Sequence, residues 1–133
     1  MKYSCEIWNP YTKRSIDKLE AVQERATRWI TGSDDDYGSR LSKLRLLLLF
    51  DRRFIRDVTF LFNVSNGHYD IDISNKLIFC KDRSMAYNLR KNDTQDLVPN
   101  VSGTNGLKYS FFNRIVGEWN SLPNHIKIGR AHV

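Results

Sequence analysis

The stretch from Arg45 to Gly67, RLLLLFDRRFIRDVTFLFNVSNG, constrains this chain more than any other, because so many apolar residues in succession must be covered. Leu47, Phe50, Phe54, Val58, Leu61 and Val64 recur at steps of three and four, the spacing of one helical face. Leu48, Leu49, Ile55, Phe60 and Phe62 widen that face, and the polar residues Asp51, Arg52, Arg53, Arg56 and Asp57 gather in its first half. The arginines interrupt the run well short of the roughly 20 apolar residues that a membrane span needs. The pattern predicts a central core helix over 46–66, stopped at Asn66-Gly67, with Phe54, Val58 and Leu61 buried. On that reading Phe54→Ala costs roughly 3–5 kcal/mol.

A central helix needs partners, and the rest of the chain offers amphipathic segments. Ser15 is placed to cap a helix over 16–31 that Gly32 closes. Ile16, Leu19, Val22, Ala26, Trp29 and Ile30 form its apolar stripe, and Val22 and Trp29 are expected to face the central helix. Lys18, Glu20, Glu24, Arg25 and Arg28 line the other side, with Glu24 and Arg28 at ion-pair spacing. The run Asp34-Asp35-Asp36 reads as a loop that caps a short helix over 37–44 more readily than as a metal site. Residues 69–108 carry short apolar runs such as LIFC and MAYNL between polar turns, which predicts two or three short strands or a hairpin. Ser110 is placed to cap a last helix over 110–121, whose stripe is Phe111, Phe112, Ile115, Val116 and Trp119. The fold class is therefore mainly α: a small helical domain of about four helices with a short β or irregular segment at 69–108.

Composition adds limits. The chain is 41% hydrophobic, enough to build a core, and its net charge of +6 favours an anionic partner. Two cysteines, Cys5 and Cys80, are too few for a disulfide scaffold and lack metal-ligand spacing. The start MKYSCEIW is neither a signal nor a transit peptide, so an intracellular chain is expected.

Three blocks, taken together and in order, resemble the C-terminal region of non-LTR retrotransposon reverse transcriptases of the Jockey and CR1 type. YSCEIWNPYTKRSIDKLEAVQERATRWITG (3–32) is similar to the segment that follows the polymerase palm in that family. YGSRLSKLRLLLLFDRRFIRDVTFLFNVSNG (37–67) resembles its Y-x-x-R-L-x-x-L … R-R … D … G block, and FFNRIVGEWNSLP (111–123) its ending, which opens on F-F, carries an arginine and closes on W-N-x-L-P. Arg83 to Leu89 is weakly similar to the intervening R-x-H-x-x-x-L element, with Met85 or Ala86 where a histidine is usual. The resemblance covers residues 1–126 and implies a thumb and post-palm region of a longer parent.

It implies an absence as well. The family's aromatic-x-Asp-Asp motif, which holds two magnesium ions for phosphoryl transfer, belongs upstream and is not in this sequence. No cofactor, metal site, catalytic residue, membrane contact or small-molecule ligand is expected in this chain, whereas the parent polymerase would use Mg. The expected partners are the upstream palm and RNA or DNA reached through the parent. Arg52, Arg53, Arg56, Arg25 and Arg28 would then face phosphates, each removing one counterion. The competing role for Arg52 and Arg53 is an ion pair with Asp17, Glu20, Glu24 or Asp51, and for Arg25 and Arg28 a solvated surface pair. A free-standing helical interaction module, or the inert product of a decayed element, is the alternative function.

The ending KIGRAHV is foreign to the resemblance. Written back into codons, Lys127–Val133 fits AAG ATC GGA AGA GCA CAC GTC, similar to the start of a common short-read sequencing adapter. A non-biological tail at 127–133, exposed and unpacked, is the expectation.

Overall fold

A computed structural model describes residues 7–80, 96–99 and 102–127. Among them are α1 (Lys13–Thr31), α2 (Tyr37–Leu44), α3 (Leu49–Ser65), α4 (Asn105–Lys108), α5 (Phe111–Asn120) and α6 (Asn124–Lys127). The chain is mainly helical, as the periodicity predicts. Four of the six are the expected helices, and α4 and α6 are single turns. No strand forms among the described residues; in place of a hairpin there is one antiparallel bridge, Phe79 with Leu97. MAYNL and the Arg83–Leu89 element lie outside the described residues.

The helix ends follow local chemistry, with three departures from expectation. α1 starts earlier than predicted: Thr12, not Ser15, is the cap, its Oγ1 accepting from the Ser15 N–H at 3.3 Å. Gly32 closes α1 in the left-handed region, φ 59°, with its N–H on the Arg28 carbonyl. Asp36 caps α2 by accepting from Gly38 N–H at 3.0 Å, while Asp35 pairs with Lys43. The second departure is a break in the Arg45–Gly67 stretch. Arg45 takes φ 53°, Arg45 N–H reaches the Ser42 carbonyl and Leu46 N–H the Leu41 carbonyl, so α2 ends in a Schellman turn and α3 begins only at Leu49. A non-glycine left-handed residue is costly by roughly 1–2 kcal/mol, so neighbouring interactions must hold it there. The third is Ser110, which precedes α5 without a side-chain cap and donates to the Leu107 carbonyl instead.

Two compact units divide the chain, Met1–Arg56 and Asp57–Val133. In Asp57–Val133, Leu61, Leu77, Leu97, Ile115, Val116 and Trp119 form the buried core, with Val58, Phe62, Phe79 and Phe112 packed on it. Phe79 meets Trp119 edge-on and Phe60 meets Phe111 edge-on, arrangements favoured by ring quadrupoles. The Asn120 amide accepts from Leu97 N–H at 2.8 Å and donates to the Leu97 carbonyl at 3.0 Å, pairing that backbone as a strand would.

Among the described residues of Met1–Arg56 the buried side chains are Leu41 and the polar Gln23, Thr27, Arg40 and Arg53. This corrects the predicted packing of the central helix. Trp29 is 85% exposed and Val22 57% exposed, so neither covers α3, and Phe54 is only half-buried. Leu61 and Val64 of α3 are buried as predicted, but in its first half the buried positions are Arg53 and Asp57, each one residue before the predicted Phe54 and Val58. Hydrophobicity alone assigns charged residues to the outside, and a paired aspartate inside breaks that rule.

The chain's end also departs from expectation at one residue. Lys127 is 6% exposed, and its Nζ lies 2.5 Å from Asp96 Oδ1 and near the Asn120 carbonyl. The remaining tail, 128–133, lies outside the described residues.

Candidate nucleic-acid interface

The charged residues of the Met1–Arg56 unit sort into an inward set and an outward set. Inward, Glu20 on α1 accepts from Leu49 N–H at 3.0 Å and so caps α3 from another helix. The Tyr37 hydroxyl donates to the same carboxylate and accepts from Gln23 Nε2 at 3.0 Å. Burial first, and then the bond to Glu20, push the Tyr37 hydroxyl up to about 12, so it stays a donor throughout the physiological range. Gln23 also donates to the Leu47 carbonyl at 3.0 Å and accepts from Arg52 Nη2. Arg40, 1% exposed, donates to the Asp35 carbonyl and lies 3.8 Å from Glu24.

This network decides where the predicted arginines go. Arg52 is half-buried on Gln23, a neutral partner rather than the carboxylates expected from the sequence. Arg53 is buried, and Arg56 is exposed. Arg25 and Arg28 stand exposed on α1. Glu24 turns to Arg40 and not to Arg28, so the ion pair expected from the spacing does not form. Arg25 Nε reaches only the Ala21 carbonyl of its own helix, at 3.4 Å, among the contacts of the described residues.

What the sequence misses is the outward position of Trp29. Its stripe carries Arg14, Lys18, Val22 and Arg25 at steps of four, four and three, with Trp29 four further on, and all five are exposed. The signal was present in the sequence, since this stripe is both basic and aromatic and Gln23 and Thr27 lie away from it.

The Asp57–Val133 unit has a charged cluster of its own. Asp57, 0% exposed, accepts a two-pronged bond from Arg114, Nε to Oδ2 at 2.9 Å and Nη2 to Oδ1 at 3.3 Å. The guanidinium also lies over the Phe111 ring, 5.5 Å from its centre. Glu118 stands one turn after Arg114 on α5. Burial, and next the Asp57 charge, push its carboxyl up to about 7, against the opposing pull of Arg114. Asp57 and Arg114 are the bonded pair of an internal brace, and Glu118 lies in the field of both.

Among the described residues no three His, Cys, Asp or Glu side chains are grouped to hold a metal ion. No helix among them is long and apolar enough to cross a membrane. No family model matches the sequence, and no curated protein or solved structure is similar to it.

Proposed function

We propose that this chain is part of the C-terminal, post-palm region of a non-LTR retrotransposon reverse transcriptase, where it supplies packing and contacts to the nucleic-acid backbone without being catalytic alone. One observation carries the reading. Seven of the residues on which the resemblance rests hold their unit together internally: Tyr37, Arg40 and Leu41 in the first, Asp57, Arg114, Trp119 and Asn120 in the second. A pattern built of buried, paired side chains is what a shared fold leaves in a sequence, whereas scattered surface matches would speak for coincidence. The basic outward face of α1 supports the nucleic-acid part.

Sequencing the genomic locus upstream of the Met1 codon tests the proposal. An open frame that continues into a palm with an aromatic-x-Asp-Asp motif is the expected result. In-frame stops directly upstream of a promoter-driven Met1 would contradict it. They would favour the second reading, a free-standing helical interaction module, for which the outward Val22, Ile30 and Phe50 speak.

A further inference from the structure

Two of the three acidic residues of α1 are engaged inside the Met1–Arg56 unit, Glu20 on Tyr37 and Leu49 and Glu24 on Arg40, and the third, Asp17, is exposed beside Arg14. No described carboxylate forms an ion pair with Arg14, Lys18, Arg25 or Arg28. The outward stripe is thus cationic along about 22 Å of helix, with an 85% exposed indole at its end. From these observations we propose that Arg14, Lys18, Arg25 and Trp29 bind single-stranded nucleic acid, the cations on phosphates and Trp29 stacked on a base. The inference rests on the nucleic-acid reading above and names its surface.

Charge and shape select this occupant. Polyanions are drawn to a net-basic stripe, and an unpaired base offers an indole the π-face that a duplex hides in its stack. A helix-packing partner would need an unbroken apolar seam, yet Arg25 stands between Val22 and Trp29 on this one. An anionic lipid surface would need an apolar face along the whole helix, whereas the exposed Val22, Ala26, Trp29 and Ile30 lie only in the second half of α1.

The test uses the full chain, with labelled oligothymidylate and oligouridylate of about 20 nucleotides and a duplex of equal length, titrated by anisotropy across salt. Trp29→Ala is expected to weaken single-strand binding roughly tenfold and leave duplex binding and the salt slope nearly unchanged. Trp29→Phe should retain most of the affinity, because a ring remains to stack. Arg14→Gln with Arg25→Gln should flatten the single-strand salt slope by up to about 1.4, about 0.7 for each phosphate that is no longer neutralised. If the wild type binds with salt dependence but Trp29→Ala stays within about twofold, the stacking surface is refuted and the broader nucleic-acid reading survives. If the wild type binds neither strand form, both fail. A loss of self-association in Trp29→Ala, with single-strand affinity unchanged, would overturn the proposal in favour of helix-to-helix docking.

Discussion

Among the described residues the Asp57–Val133 unit buries seven apolar side chains, whereas in Met1–Arg56 the buried residues are Leu41 and four polar ones. The first is stabilised by the non-directional transfer of apolar surface, which tolerates local adjustment. The second depends on directed hydrogen bonds in which Glu20, Gln23 and Arg40 each serve more than one neighbour. The contrast continues at the surface. Trp29, Ile30 and Val22 of the polar-cored unit are more than half exposed, so its apolar residues are spent outside. A unit built this way keeps a sticky, basic exterior that a self-sufficient core would have absorbed.

The largest effect is expected where a charge is buried. Asp57→Ala leaves the Arg114 guanidinium without its carboxylate and should lower stability by about 3–5 kcal/mol in urea denaturation. Replacing both partners, Asp57→Leu with Arg114→Met, should cost distinctly less than the single change. Were the two equal, the pair would not be the brace described. Next is Glu20→Ala, which removes the cap on Leu49 N–H and the acceptor of Tyr37 together. A loss of about 1–3 kcal/mol is expected in the same assay, and Glu20→Gln should recover part of it.

These two sites also show how far the sequence could be read. Gly32, Asp36 and Gly67 signal their own helix ends, and each acts where its chemistry predicts. Local signals are legible because cap and helix are neighbours in the chain. Asp57 and Arg114 are 57 residues apart, and nothing local says that either is buried. The same blindness misplaces the first half of the α3 stripe by one residue and hides the turn at Arg45, where neither Gly nor Asn marks the left-handed position. Of the candidate interface, the arginines could be named from charge alone. Their sorting could not, because it depends on Glu24 choosing Arg40 over Arg28.

A smaller effect concerns pH. Glu118 binds a proton more tightly folded than unfolded, its carboxyl being raised from 4.5 to about 7. Between those values the native state holds a proton that the unfolded chain has released, so stability falls as pH rises through the window and levels off above it. Glu118→Gln should flatten that slope, by up to about 2 kcal/mol once solvent screening is allowed for. Denaturation midpoints of the two proteins across this window check it; parallel curves would remove Glu118 from the brace. The smallest effect is Trp29→Ala, expected to shift stability by no more than about 0.5 kcal/mol because the indole is outside. A cost above about 3 kcal/mol would return Trp29 to a core.

Native-state amide hydrogen exchange on the wild type tests the contrast between the units most directly. The amides of α5, and of α3 from Leu61 to Ser65, sit on the apolar core and should exchange only through the highest-energy openings. Those of α1 and α2 rest on a polar network with little buried apolar surface and should open at least about 1–2 kcal/mol more easily. Protection of α1 equal to that of α5 would contradict the account, because it would mean that the polar network holds its unit as firmly as the core holds the other.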